Sequence, residues 1–543
     1  SGCCNNRWGT MVGILFPKES RSDSPMAFTN VSFTLFSAVE LLKRHHLLRE
    51  IITPDRWTLD VADLPGANTP IPAITYDTRK VSQGTMLFVK GRFKPEFLDG
   101  IDTRGLYAYV AEEDHSDRTH AIGVIVNDVH KAMSLLSASF YGLPQHELTV
   151  VGITGTKGKT TTAFLAQAIL NEYSQGRCAL FSSVNLCLDG HTMLPSKLTT
   201  PESLDSFRMM RQAADNGMKY LVMEVSSQAY KVNRVYGLTF DVAAFLNISP
   251  DHISPIEHPT FEDYFHCKRQ IIANSRALVL GADCDHHDLL REDAKAAGID
   301  VTEFAMEGDA QVVTRLDPNN KEGFIATIGD GERSVTLEPM ALDMTGEFNI
   351  VNAAAAIAIA HRAGVPASSQ AMYAVQNVQV PGRMERIRGG DNLLVYVDFA
   401  HNYISVKSLV DEIERVYGER NPRITLVSGT TGGKAIDRRE GIVKGALGRV
   451  ESFIFTLDDP NFEDPTDIAR QMQSYVTDPA AQTQIVMPRE DAVAKAIADA
   501  REHNDRFNVV LVIGKGDETR NIINGKPVPY EGDSVVVRRV LGE

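Results

Sequence analysis

At 543 residues, with 43% hydrophobic and 23% charged residues, the chain has the composition of a soluble globular protein of three or four domains. A formal charge of −15 argues against general nucleic-acid binding, which needs clustered Lys and Arg, but leaves room for a basic pocket around a small anion. The six cysteines are too few for a disulfide framework, and Cys178, Cys187, Cys267 and Cys284 lack metal or C-x-x-C spacing, so they read as reduced thiols of a cytoplasmic protein.

Residues 1–25 show no periodic pattern and are expected to be an unstructured extension or expression remnant, with Met26 as a candidate natural start. Met11–Phe16 is too short to span a bilayer, and no longer apolar run follows, so no membrane association is expected. From 26 to 146 a short helix around Ala38–Leu42, strands at Ala73–Arg79, Met86–Val89, Tyr107–Ala111 and Gly123–Val126, and a helix over Ala132–Tyr141 predict a small α/β unit. Residues 147–380 alternate strand and helix as a mostly parallel sheet does, with strands at Tyr220–Val225 and Val242–Asn247, a polar antiparallel insert or edge over 300–340, and an alanine-rich helix over Asn349–Ala363. Near Pro381–Gly382 a third alternating block begins and runs to 543, with strands at Leu393–Val397, Ile424–Val427, Ser452–Thr456 and Val509–Ile513.

The most informative segment follows Leu148–Val151. The apolar strand breaks into Gly152-Ile-Thr-Gly155-Thr156-Lys157-Gly158-Lys159-Thr160-Thr161 and then becomes a helix. Glycines let backbone N–H groups curl around phosphate oxygens, Lys159 supplies a point charge, and the helix N-terminus adds its positive end. The Thr160 hydroxyl suits Mg²⁺. The spacing departs from the common P-loop, and a chance strand-to-helix turn is the bland alternative.

Glu224 ends an apolar strand, where apolar-to-polar transitions open onto sites; a solvated strand end is the plainer reading. Asn247–His252 has the same form and delivers Asp251-His252 to a loop. Thr160 and Glu224 suit one Mg²⁺, and His252 suits a second.

The short form Gly155–Thr161, together with Leu198-Thr199-Thr200-Pro201-Glu202, Met223-Glu224-Val225-Ser226-Ser227, Asp251-His252, Pro381-Gly382-Arg383-Met384-Glu385 and Asp398-Phe399-Ala400-His401, resembles the Mur ligases, in order and from about Ala73 to the C-terminus. The folylpolyglutamate synthetases share the ATP loop but would not need the N-terminal uridine domain or Leu198-Thr199-Thr200-Pro201-Glu202. The resemblance implies an α/β protein with three-domain Mur ligase architecture: a UDP-substrate domain (26–146), a central P-loop-type ATPase domain (147–380) and a C-terminal Rossmann-like amino-acid domain (381–543).

By resemblance, Gly155, Thr156, Lys157, Gly158, Lys159, Thr160 and Thr161 hold the triphosphate of ATP, and Thr160 with Glu224 the first of two Mg²⁺ ions. His252 serves the second, with Lys268 at the position where these ligases carry an N-carboxylated lysine; on spacing alone Lys268 reads as an exposed helix lysine. Asn349 lies by the adenine, Arg383 reaches the γ-phosphate, and Asp398 with His401 contacts ribose and base. Thr199, Thr200, Ser226 and Arg234 grip the muramoyl-dipeptide, and Thr78 the uridine end. The family's Asp-Tyr-Ala-His is Asp-Phe-Ala-His here, a loss of only a phenol at Phe399.

The amine is expected to be chosen by Leu457-Asp458-Asp459-Pro460-Asn461. Family members that take diaminopimelate carry Arg where Asn461 stands, so a second carboxylate finds no cation here, while Asp458 and Asp459 favour a cationic side chain. Glu518 is assigned to the α-amino group and Lys434 to the α-carboxylate. The resemblance therefore implies a monomeric cytoplasmic enzyme that uses ATP to activate the D-Glu carboxylate of UDP-MurNAc-L-Ala-D-Glu and joins it to L-lysine, with Lys159, Glu224, His252, Lys268 and Arg383 as the catalytic set. Ornithine as the amine, a folylpolyglutamate-synthetase-like ligase and a non-catalytic ATP-binding scaffold are the alternatives.

Overall fold

The computed structural model describes residues 32–250, 257–330, 333–433 and 435–543. They form two compact units: one comprises the chain up to Lys159 with Leu170–Glu303 and His361–Val365, the other Thr160–Ile169, Phe304–Ala360 and Pro366–Glu543. No helix among the described residues is long and apolar enough to cross a membrane.

In the first unit, a sheet runs in the order Trp57–Thr58, Leu48–Ile52, Ile122–Val126, Ala108–Ala111, Met86–Phe88, Ile74–Thr75, parallel across its last four strands. Helix Leu35–Arg44 starts at a reciprocal Thr34/Ser37 capping box, and Val129–Phe140 starts where the Asp128 carboxylate accepts from Lys131 N. That cap sets the second helix three residues earlier than its apolar pattern indicated. The strand expected over Ala73–Arg79 is paired only at Ile74–Thr75. Asp77 takes the Arg79 N–H instead, and Thr78–Lys80 turns as a 3₁₀ segment, because a short Asx side chain competes with the ladder for backbone donors.

The same unit holds five parallel strands in the order Cys178–Phe181, Tyr220–Glu224, Thr149–Thr154, Val242–Phe245, Ala277–Gly281. Nearly all their residues are buried, as expected of strands covered on both faces. Gly152 is required in the central strand, since a Cβ there would lie 2.6 Å from the Phe240 ring.

In the second unit, Val312–Asp317, Asn320–Asp330 and Arg333–Thr336 form the antiparallel piece expected from the polar 300–340 segment. The alanine-rich helix is Glu347–Arg362, apolar on nearly every side and buried accordingly. The C-terminal sheet runs Glu385–Gly390, Leu393–Asp398, Asn508–Ile513, Arg423–Ser428, Ser452–Phe455, Gln482–Ile485, parallel beyond its first pair. Its two edge strands escaped the sequence reading: charges and glycines in one, and glutamines in the other, leave no apolar run.

Candidate active site

In the first unit, the strand Thr149–Thr154 ends at Gly155, and the helix Lys159–Tyr173 begins four residues later. Gly155 (φ 150°) and Gly158 (φ 82°) hold backbone conformations that side chains resist. Asn247, at the end of the neighbouring strand, clamps the loop. Its Oδ1 accepts from Thr156 N (3.0 Å) and Lys157 N (2.9 Å), and its Nδ2 donates to Lys157 O (3.0 Å). The sequence reading placed Asn247 at a strand end but missed this role. Thr156 turns its hydroxyl toward Ser249 O and the Tyr264 hydroxyl, 3.1 Å each.

Lys159 folds back over the loop and donates to Gly155 O (2.8 Å) and Thr156 O (3.2 Å). Lys268 is not the exposed helix lysine that spacing suggested. On Phe261–Ala273 it is 2% exposed, donates to the same Gly155 O at 2.8 Å, and stands 4.9 Å from the centre of the Tyr264 ring. The helix turns that face onto the parallel sheet, so a residue of polar type occupies a core position. Near its start, His258 bridges Ser227 Oγ (2.8 Å) and Asp263 Oδ2 (2.6 Å), tying two short segments together.

Glu224 is buried at its strand end and accepts from Ser183 N (2.9 Å) and Ser183 Oγ (3.3 Å). The adjoining loops carry the residues expected to grip the dipeptide. Thr200 Oγ donates to Glu224 O (2.9 Å) and accepts from Ser226 N (3.0 Å), while Ser226 Oγ caps a helix by accepting from Ala229 N (3.2 Å). Arg234 reaches Thr200 O and Glu202, each at 3.3 Å. Lys90, missed from sequence, stands 3.4 Å from Glu202 and 4.6 Å from the Tyr76 ring centre. Thr199 is half-buried, and Thr78 sits on its 3₁₀ turn with its carbonyl accepting from Arg104 (2.9 Å).

In the second unit, Thr160 and Thr161 lie in the first turn of their helix, and Thr162 Oγ approaches Asn352 Oδ1 (3.3 Å). Asn352 donates to Asn349 (3.3 Å), which in turn donates to Thr345 O (2.7 Å). The expected nucleotide residues of the C-terminal block come together. Gly382 is left-handed and admits no side chain, since a Cβ would lie 2.2 Å from Asp517 N. Arg383 lies over the Phe399 ring at 4.8 Å, with its Nε buried and without a hydrogen-bond partner among the described residues. Phe399 therefore offers an aromatic face to the guanidinium, a use the sequence reading did not foresee. Asp398 accepts from Met384 N and Ala400 N, both at 2.8 Å, and desolvation pushes its pKa up. His401 Nδ1 lies 2.7 Å from Phe399 O, so the neutral ring donates there, and burial lowers its pKa.

The acidic loop also assembles, with an occupant. Lys515, fully buried, donates to Asp459 (3.1 Å), Glu518 (3.2 Å) and Asp458 (3.4 Å). Burial works to lower its pKa, but the three carboxylates outweigh burial and raise it. Asp458 is buried with it, whereas the Asp459 and Glu518 side chains are 19% and 41% exposed. Arg489, also fully buried, pairs bidentately with Asp533 (2.7 Å each) and donates to Leu457 O (3.2 Å) and Ile513 O (2.8 Å). It thus ties together the strand ends that carry Asp458 and Lys515. Sequence reading missed both cations, because nothing in a Gly-Lys-Gly or Pro-Arg-Glu triplet marks a core position. Asn461 is left-handed (φ 52°), and its Nδ2 donates to Gly432 O (2.8 Å). His252 and Lys434 lie outside the described residues.

Two family models match the chain: the Mur ligase middle domain over residues 153–360, and the Mur ligase, glutamate ligase domain over 382–516. A UDP-N-acetylmuramyl-tripeptide synthetase of Bifidobacterium longum is 57% identical over 518 residues, covering 94% of this chain and 100% of the relative. A UDP-N-acetylmuramoyl-L-alanyl-D-glutamate–L-lysine ligase of Enterococcus faecalis is 38% identical over 515 residues, covering 94% and 100%. Among solved structures, a UDP-N-acetylmuramoyl-L-alanyl-D-glutamate–2,6-diaminopimelate ligase has the same fold, with TM-score 0.63 at 24% identity over 88% of this chain and 96% of that one. A phosphate loop clamped in one unit, an arginine–aspartate–histidine group in the other and relatives matched end to end converge: this chain belongs to the Mur ligase family.

Proposed function

We propose that the protein joins L-lysine to the D-glutamate of UDP-N-acetylmuramoyl-L-alanyl-D-glutamate at the expense of ATP. The residues 26–146, 147–380 and 381–543 would hold the uridine nucleotide, ATP and the amino acid respectively, and a reaction on such nucleotide substrates would run in the cytoplasm. The observation that carries the choice of amine is the acidic loop. The Asp459 and Glu518 side chains stay partly exposed, while Asn461 is spent on Gly432 and Lys515 on three carboxylates, so among the described residues of the loop no cation remains for a second substrate carboxylate. One methylene, as between lysine and ornithine, is worth only about 1–3 kcal/mol, which makes ornithine the second reading.

In the reaction, the γ-carboxylate of the D-Glu residue takes the γ-phosphoryl group and ADP leaves. The amine then attacks the acyl carbon, and phosphate departs from the tetrahedral intermediate. Thr200, Ser226 and Arg234 would orient the dipeptide, the Gly155–Thr161 loop and Lys159 the triphosphate, and Arg383 with its partnerless Nε the transferring group. A buried carboxylate such as Glu224 is an oxygen donor that suits Mg²⁺. A free Lys268 ammonium does not suit a cation site, but a carbamate there does, and with His252 it would hold a second Mg²⁺. The ions would neutralise charge on the phosphates. The test is phosphate release by the full chain with ATP, the UDP-linked dipeptide and, separately, lysine, ornithine and diaminopimelate. Lysine-dependent release supports the reading; release with none of the three, or preferentially with diaminopimelate, overturns it.

A further inference from the structure

We propose that Lys515 is a specificity-determining residue of the amine pocket: its buried ammonium cancels one of three convergent carboxylates and leaves a residual double negative charge, directed outward by Asp459 and Glu518, that selects an amino acid carrying an additional ammonium. The inference rests on the lysine-ligase reading above and names the residue that sets the pocket's charge.

The carboxylate oxygens of Asp458, Asp459 and Glu518 all lie within 4.8 Å of one another, a spacing suited to a metal ion, but the centre belongs to the Lys515 ammonium, which donates to each of them. Three carboxylates so close would hold protons at neutral pH if no cation stood among them. Burial and the two aspartates raise the Glu518 pKa, and Lys515 is the group that lowers it. Among the described residues nearby, Arg489 is paired with Asp533, and His401, whose pKa burial, Arg438 and Arg383 lower and Asp458 raises, donates to Phe399 O; Asp517, its own pKa raised by burial, faces Arg383. The Asp459 Oδ1 that meets Lys515 also accepts from Ile522 N (2.9 Å), which fixes the carboxylate's orientation. Lys515 thus opposes the upward push on the Glu518 pKa and keeps the pocket aimed, without being exposed to substrate itself.

The experiment compares Lys515→Met, Lys515→Arg, Asp458→Asn and the double variant Lys515→Met/Asp458→Asn in full-length enzyme. It measures KM for lysine, ATP and the UDP-linked dipeptide between pH 6.5 and 9. Lys515→Met should raise the lysine KM at least about tenfold while the other two KM values hold, with recovery as pH rises and Glu518 loses its extra proton. Lys515→Arg should retain most of the wild-type affinity. Asp458→Asn should raise the lysine KM without alkaline recovery. The double variant restores the residual charge and removes both members of a buried pair, which folded proteins tolerate better than removal of one. Its lysine KM should lie closer to wild type than that of either single variant. A double variant as impaired as the two single effects combined overturns the proposal, as does a Lys515→Met enzyme with unchanged lysine KM or with all three KM values raised together. Failure of the wild-type enzyme to use lysine at all is a separate result, and it would remove the underlying function instead.

Discussion

Lys159 and Lys268, 109 positions apart in sequence, both donate to the carbonyl oxygen of Gly155 at 2.8 Å. Two ammonium groups on one acceptor repel, and the family resemblance assigns Lys268 an N-carboxylation that would remove one of those positive charges. On that proposed reading, carbamylation would leave Lys159 as the charge facing the phosphates.

Lys268→Ala should therefore lower kcat by about 10²–10³-fold, the usual cost of removing one preorganised electrostatic group. The ATP loop itself should survive, because Asn247 clamps it independently. Steady-state kinetics beside a nucleotide-binding titration separate the two effects; retained turnover would end the carbamate reading.

Arg383→Ala should reduce turnover by a similar factor of about 10²–10³ with little change in melting temperature, since the guanidinium's contact is the Phe399 face and its Nε has no partner. Phe399→Tyr, which keeps the ring, should be close to neutral, and Phe399→Ala intermediate. Comparing kcat across the three variants checks the order.

Arg489→Met leaves the Asp533 carboxylate buried without its cation, holding the Tyr530 hydroxyl (2.7 Å) alone of its two side-chain partners, and should destabilise the fold by about 3–5 kcal/mol. Because Arg489 also ties Leu457 O to Ile513 O, the lysine KM should rise even where the variant is folded. Chemical denaturation and kinetics at reduced temperature read both effects.

The pH dependence of stability should carry a signature of His401. Burial lowers its folded pKa below the ordinary 6.5, so below that value the unfolded chain binds the proton more readily. Its contribution is thus constant above pH 6.5 and turns unfavourable as pH falls from there toward the folded pKa. Replacing His401 with Gln should flatten that part of the acid limb in denaturation curves recorded from pH 7.5 to 5; an unchanged limb would refute the assignment.

Asn461 occupies a left-handed position and holds Gly432 through its side chain, so Asn461→Ala should cost about 1–2 kcal/mol in denaturant stability. For the same reason, Asn461→Arg alone should not confer efficient use of diaminopimelate. A competition assay between the two amines is the direct measurement.

The parts of this protein legible from sequence are those in which local pattern and chemistry coincide. Glycines after an apolar strand announced the phosphate loop, and apolar runs of four to six residues announced the central strands, because both signals are written in consecutive residues. Arg383, Asp398 and His401 were marked as a group only by the family resemblance of the short motifs that carry them. The edge strands Glu385–Gly390 and Gln482–Ile485 were not, because hydrogen bonding to a neighbour holds them without a fully apolar pattern.

Charge pairing between distant segments was decided only in three dimensions. Lys268, Lys515 and Arg489 look like ordinary surface residues in the chain, and each is nearly or fully buried. A lysine or arginine is kept in the interior by what faces it: a carbonyl and a tyrosine ring, three carboxylates, or an aspartate with two strand-end carbonyls. Most of those partners come from far along the chain, so the sequence by itself determined the family and the chemistry, and tertiary packing determined which charges are spent inside and which remain for substrate.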